Sequence, residues 1–253
     1  MHTIEEKGSW IMRDYAIETQ KRVNFIQEAL ASANASGIVF GSSGGKDSVL
    51  VGILCKKACD NTVGLIMPCS SRRNYEEDKI DAELVARQFG IELRTVDLTP
   101  VRSALLGALT DVTELTATAL ANIAPRLRMT TLYAVAASEN RLVAGTGNRS
   151  EYHMGYFTKW GDGAYDFNPI ADLTVTEIYE FLRYLQVPEQ IITKAPSAGL
   201  FDGQTDENEM GISYKSIDEF LLTGKVGEQE KVIIERYHNA SHHKRRPPLA
   251  YKE

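Results

Sequence analysis

Gly37-Ile-Val-Phe-Gly41-Ser-Ser-Gly-Gly-Lys-Asp-Ser48 is the stretch on which the fold turns. Its first five residues are a β-branched and aromatic run held between glycines, the pattern of a buried strand. From Ser48 to Ala58 the character is helical. Between the two, Gly44 and Gly45 carry no Cβ, so the backbone can turn sharply and aim N–H groups at phosphate oxygens. The following helix adds the positive end of its dipole. Ser43 and Ser48 offer hydroxyl donors, and Asp47 offers a hard oxygen that suits magnesium. The P-loop pattern needs a glycine six residues before the lysine and Ser or Thr just after it; those positions hold Phe40 and Asp47. The G-x-G-x-x-G pattern fails as well.

Outward from this loop, Met12, Ala16, Thr19, Val23, Ile26 and Leu30 recur at three- and four-residue steps and predict an amphipathic opening helix. Val63–Met67 reads as a second strand ended by Pro68, Glu76–Phe89 as a helix and Ile91–Val96 as a third strand. Helical stretches follow at Val101–Leu109 and Arg126–Glu139, and Arg141–Ala144 is a fourth strand running into Gly145-Thr-Gly147. Strands alternating with helices predict an α/β fold, a single Rossmann-like parallel sheet flanked by helices. Ser150–Pro169 has no clean repeat, and so long a loop is usually functional. Thr174–Leu185 is helical, Pro196–Gly211 is a second irregular stretch, and helices close the chain at Ile217–Leu222 and Glu228–His238. Nothing marks a boundary, so one domain over residues 1–253 is expected.

The 28 basic and 34 acidic residues give a net charge of −6, which argues against a bulk nucleic-acid or membrane binder. A local basic pocket remains compatible with it. Cys55, Cys59 and Cys69 are an odd number and form no disulfide framework. Cys55 and Cys59 share a helix face and read as small core residues, since no further ligands complete a metal set. The amino terminus has no apolar secretory core, and the run Val49–Cys55 falls far short of the ~20 residues a membrane helix needs. Cytoplasmic residence is expected.

Strand, Ser-Gly-Gly-x-Asp-Ser, helix resembles the ATP pyrophosphatases, which cleave between the α- and β-phosphates. Further strings narrow the resemblance: Asn122-x-x-x-Arg126-x-Arg128-Met129, Gly145-Thr-Gly-Asn-Arg-Ser-Glu151 and Gly155-Tyr-Phe-Thr-Lys-Trp-Gly-Asp-Gly163. Pro196-Ser-Ala198, Gly203-Gln-Thr-Asp-Glu207, Gly211 to Tyr214 and the tail His243-Lys-Arg245 complete them. From about residue 37 to the end the chain is similar to ammonia-dependent NAD synthetase. The resemblance implies ATP-dependent amidation of deamido-NAD with free ammonia, through an acyl adenylate, by a homodimer that uses Mg2+. Beside such a portion, 253 residues leave no room for a glutaminase part, so ammonia is the expected nitrogen donor. A thiolating ATP pyrophosphatase would carry a Cys-x-x-Cys pair and a basic RNA face, and neither is present.

Carried across, the resemblance gives the ATP site as Gly41, Ser42, Ser43, Gly44, Gly45, Lys46, Asp47 and Ser48 with Thr146 and Ser197. It gives Asp47 and Glu151 as magnesium ligands, and Arg126, Lys159, Asp166, His243 and Lys244 as the deamido-NAD site, with Asp47 and Lys159 catalytic. The plain alternatives are a helix cap for Arg126, a solvated acid for Glu151, a turn residue for Asp166 and a solvated charged run at His242–Arg246. Tyr152, Tyr156, Phe157 and Trp160 could stack on nicotinate or adenine, although packing is the commoner use.

Two departures stand out. Where the family has a lysine that contacts ATP, Asn168-Pro-Ile-Ala-Asp-Leu-Thr-Val175 ends in valine. Arg183 lies two turns further along that helix, too far to substitute, which leaves Lys194 as the expected compensation if the Pro196 loop folds back. Met67-Pro-Cys69 also departs from the family's Met-Pro-Tyr.

Overall fold

The computed structural model describes residues 13–69, 73–194 and 206–251, with residues 73–77 given by backbone alone. Four strands, β1 (Gly37–Gly41), β2 (Thr62–Ile66), β3 (Glu92–Thr95) and β4 (Arg141–Ala144), form one sheet in the order β3-β2-β1-β4. All three pairings are parallel, with Val39 opposite Val63 on one side and Val143 on the other. Chain order reverses direction between β1 and β4, so a crevice opens beyond their carboxyl ends. That is where open α/β sheets bind ligands.

Alternation along β1 explains the layering. Ile38 and Phe40 point into an apolar cluster built from α1 (Tyr15–Ala33), α2 (Lys46–Ala58) and α7 (Val175–Tyr184). Val39 points the other way, joining Val63, Leu65 and Val143 against α5 (Ala117–Glu139). Both faces of β1 and β2 are therefore dry, as their near-continuous apolar runs require. A third cluster gathers Met154, Val175, Tyr214, Ile217 and Ile234 where α6 (Arg149–Met154), α10 (Tyr214–Thr223) and α11 (Glu228–Ala240) meet the start of α7. Cys55 is fully buried in the first cluster, and Cys59 caps the end of α2. Among the described residues no helix is long and apolar enough to cross a membrane.

Three boundaries differ from the sequence reading. Helix α5 starts at Ala117 rather than near Arg126, because the Thr116 side chain caps it and Pro125 is accommodated inside. Proline lacks the N–H that would bond four residues back, so the Ala121 carbonyl loses its helical partner, and both residues lie on the wall of the cavity described below. Inside Ser150–Pro169 the chain first completes α6, whose signal is a capping box rather than an apolar period: Asn148 accepts from Glu151 N, and the Glu151 carboxylate accepts from Asn148 N. The end of Pro196–Gly211 is also helical, as α9 (Asp206–Met210). The other expected elements fall within a few residues of expectation, with α3 at Arg73–Phe89 and α4 at Thr99–Leu109, and a short helix α8 at Glu189–Ile192 was not anticipated.

Candidate active site

The loop after β1 is shaped by its own side chains. Ser48 Oγ donates to the Gly45 carbonyl at 3.0 Å and lies 3.1 Å from Ser43 Oγ, while Gly45 N donates to Ser43 Oγ at 3.3 Å. Gly44 has φ +76°, and a Cβ there would sit 2.2 Å from the Asp78 carbonyl oxygen, so glycine is required on both counts. Helix α2 begins at Lys46 with no side chain capping its first turn. Those N–H groups remain free to meet an anion.

Beyond the loop, Asn148 draws the end of β4 toward the start of α2. Its side-chain amide donates to Asp47 Oδ1 at 3.1 Å, and its backbone N–H donates to Glu151 Oε2 at 3.1 Å. The other Asp47 oxygen accepts from Lys46 Nζ at 2.7 Å. Lys46 is buried, and burial works against its charge, but Asp47 and Glu151 outweigh it and hold the ammonium above its ordinary range. Its Nζ lies 5.6 Å from the centroid of the Tyr214 ring, and the Tyr214 hydroxyl donates to buried Asp206 at 3.0 Å. Burial, and then the Asp47 charge, push the Glu151 carboxyl well above the usual carboxylate range. Among the described residues no group of three or more His, Cys, Asp or Glu is arranged to hold a metal unaided.

These groups open on a cavity of about 820 Å3 whose wall includes Gly41, Ser42, Ser43, Gly45, Lys46, Asp47, Ser48, Thr146, Glu151, Arg128 and Lys244. Among the described residues, six carboxylates (Asp47, Asp78, Glu151, Asp162, Asp206, Glu209) and five cations (Lys46, Lys79, Arg128, Lys194, Lys244) line it.

Four residues of the expected dinucleotide site lie in one neighbourhood, and the fifth lies apart. Lys244 Nζ donates to the carbonyls of Gly155 and Phe157 at 2.8 and 2.7 Å. Lys159 Nζ donates to the His243 carbonyl at 2.8 Å, and exposed Arg126 reaches the Lys159 carbonyl at 3.4 Å. The tail docks this closely because Gly155, at φ +65°, has no Cβ; one would overlap the Ser241 side chain at 2.0 Å. Of the four, only Lys244 lines the cavity. Asp166 instead ties the edge of β4, accepting from Val143 N at 2.7 Å and Tyr133 Oη at 3.2 Å. Tyr156 and Phe157 line the cavity, whereas Tyr152 stacks on Phe157 and Trp160 is exposed beneath the Lys159 ammonium. Ser197 lies outside the described residues.

Val175, the first residue of α7, is buried in the apolar cluster with Tyr214 and is absent from the cavity wall. Lys194 does reach the wall, where its ammonium is shared by Asp78 at 2.6 Å and Asp81 at 2.9 Å. The sequence gives Asn148, Asp206, Tyr214 and Arg128 motif positions but no role, and Arg128 Nε donates to the Met67 carbonyl. The capping-box spacing could have found Asn148. Tyr214 meets Lys46, and Asp206 meets Tyr214, only in the folded chain, so the strings that hold them gave no sign of the contact.

A family model described as NAD synthase matches residues 18–248. The NH(3)-dependent NAD(+) synthetase of Carboxydothermus hydrogenoformans is 51% identical over 91% of this chain and 95% of its own. That of Alkaliphilus metalliredigens is 42% identical over 93% and 98%. Among solved structures, the NMN synthetase from Francisella tularensis superposes with a TM-score of 0.90 at 39% identity, covering 95% of this chain and 100% of that one. The NH3-dependent NAD synthetase from Campylobacter jejuni gives 0.78 at 31%, with the same coverages.

Proposed function

The chain belongs to the NAD synthase family, and from that premise we propose that it amidates the nicotinate carboxylate of deamido-NAD with ammonia, converting ATP to AMP and pyrophosphate. One observation carries the reading beyond family membership: the uncapped loop after β1 and the Gly145–Glu151 segment after β4 share one cavity, joined by the Asn148–Asp47 hydrogen bond. A carboxylate resists ammonia at neutral pH until its oxygen becomes a good leaving group. Its attack on the ATP α-phosphorus forms the acyl adenylate and breaks the bond to pyrophosphate. Ammonia then adds to the acyl carbon, a proton departs and AMP leaves.

The protein's share of this chemistry is placement and charge. The Gly41–Ser48 backbone and the start of α2 would cradle the phosphates, with Thr146 beside them and Ser197 completing the set. Arg128 and Lys244, both on the cavity wall, would serve the acceptor's phosphate and carboxylate. Arg126, Lys159, His243 and Asp166 would contribute from the surface around the docked tail, where a second subunit could complete the site. A homodimer fits this picture, because α4 carries Val101, Leu105, Leu106 and Leu109 and buries none of them. No element of the reading requires a compartment other than the cytoplasm.

Magnesium fits the residues present. Asp47 and Glu151 supply hard carboxylate oxygens, and an ion that keeps several waters needs only one or two of these plus phosphate oxygens. When bound, it would neutralise part of the charge of the triphosphate.

A second acceptor reading has its own support. The superposition on the Francisella tularensis NMN synthetase is closer than that on the Campylobacter jejuni NAD synthetase, which favours nicotinate mononucleotide, the same carboxylate without the AMP half. Competing the two acceptors for limiting enzyme, with NAD and NMN formation followed together, separates the readings. Deamido-NAD should be preferred by kcat/KM, and a preference for the mononucleotide would replace it as the physiological acceptor.

A further inference from the structure

Lys46 combines burial, a carboxylate partner and a place on the cavity wall. Its side chain is 7% exposed, and its ammonium holds Asp47 Oδ2 at 2.7 Å while also acting on the charge of Glu151. The two acids that would receive magnesium are thus already neutralised in part by a cation from the protein. The surroundings keep it there. Tyr214 presents its ring 5.6 Å from the ammonium and is itself fixed by Asp206, and Asn148 occupies the remaining Asp47 oxygen at 3.1 Å. From the other side Val175 fills the cluster around Tyr214 with an apolar side chain, so no competing ammonium arrives from α7.

We infer that Lys46 is a built-in counter-cation that keeps the Asp47–Glu151 pair from binding a free divalent ion, so that the metal enters only with ATP. The inference rests on the magnesium–ATP reading of this site. Each Asp47 oxygen already has one donor, Lys46 on Oδ2 and Asn148 on Oδ1, so a metal arriving alone would bind at a remaining lone pair against the repulsion of the adjacent ammonium. A magnesium ion carried on the triphosphate brings its own phosphate oxygens and needs only to share the outer edge of the carboxylates. The buried ammonium then remains beside the nucleotide as a fixed positive charge. This also accounts for a phosphate loop with lysine between Gly45 and Asp47 in a chain whose α7 starts with valine. Lys194, by contrast, is held by Asp78 and Asp81.

The test is the binding of Mn2+ to nucleotide-free protein, followed by electron paramagnetic resonance of the unbound ion. Neither acceptor is present, so the result is independent of which carboxylate the enzyme amidates. Lys46→Met should bind one Mn2+ at least tenfold more tightly than the wild type, and Lys46→Arg, which keeps a cation, should resemble the wild type. Thermal melts establish that each variant is folded. Tight Mn2+ binding by the wild type without nucleotide would overturn the inference, a result that needs no variant. Equal binding by wild type and folded Lys46→Met would overturn it too.

Discussion

The Asn148 side chain donates to Asp47 Oδ1 at 3.1 Å across 101 residues of sequence, while its own carbonyl oxygen accepts from Glu151 N at 2.9 Å. One fully buried amide therefore caps α6, fixes the carboxylate at the start of α2 and sets the spacing between the two acids. Asn148→Ala removes all three functions. The cap alone is worth roughly 1 kcal/mol, and the orphaned Asp47 oxygen adds to it. The melting temperature should fall, and pyrophosphate release should fall by more than the stability loss explains. Asn148→Asp keeps the cap but turns a carboxylate toward Asp47. It should melt closer to the wild type than the alanine variant and be equally inactive.

Asp47→Asn preserves shape and removes the charge that faces both Lys46 and the nucleotide. Adenylylation should be abolished. The fold should survive with a loss of about 1–3 kcal/mol, the cost of leaving a buried donor poorly matched, because Glu151 still attracts the Lys46 ammonium. Pyrophosphate assays beside thermal melts check both halves. Turnover near that of the wild type would remove Asp47 from the mechanism.

Val175→Lys tests whether the start of α7 faces the nucleotide. Val175 is 3% exposed and packs with Met154, Tyr214 and Ile217, within the cluster that also carries the Lys46 ammonium against Tyr214. A second ammonium there meets apolar groups and a like charge, so stability should fall by about 2–4 kcal/mol and ATP affinity should not improve. Calorimetric titration with ATP that showed tighter binding at an unchanged melting temperature would mean that the side chain escapes to the cavity.

Much of the architecture was legible because β1 and β2 are continuous apolar runs and the intervening segments are helical, a pattern that leaves few folds open. The phosphate loop was legible for a local reason: paired glycines permit a sharp turn, and Gly44 takes a positive φ. Helix α6 was obscured because six residues are too few to show a period, although Asn148 and Glu151 at capping-box spacing announced it. The environment of Lys46 was not legible. It is built from Asp47 beside it, Glu151 after β4, and Asp206 and Tyr214 from the last third of the chain, and only folding brings them together. Arg126 and Arg128 illustrate the same limit: two residues apart in one motif, they diverge once wound on α5, the first exposed and the second on the cavity wall.

Acid should weaken the fold through His153. Its ring stacks on His238 at 4.2 Å, and burial, followed by the charges of His238, Arg245 and Arg149, lowers its pKa to about 4. The unfolded chain binds that proton near pH 6.5, so between pH 6.5 and 4 the unfolded state holds more protons and stability falls with falling pH. Above pH 6.5 the contribution is constant, and below about 4 the loss levels off. Denaturant midpoints measured across this window should slope for the wild type and flatten for His153→Phe, which keeps the stack on Phe220 and His238. An unchanged slope would assign the acid sensitivity elsewhere.

Assembly through α4 predicts a dimer at micromolar concentration by light scattering. Val101 and Leu105 are 49% and 37% exposed on a helix whose one charged residue is Arg102. Leu105→Glu should yield monomers with an unchanged far-ultraviolet spectrum, and a wild-type monomer under assay conditions would remove α4 as an interface.

The central claim is that the acceptor carboxylate attacks the α-phosphorus of ATP before ammonia enters. It is tested most directly by supplying deamido-NAD labelled with 18O in both oxygens of its nicotinate carboxylate, with ATP, magnesium and ammonium, and recording mass spectra of the products. One labelled oxygen should appear in the phosphate of AMP and one should remain in the amide of NAD, with none in pyrophosphate. Formation of ADP, or amide formed while AMP stays unlabelled, would contradict the account.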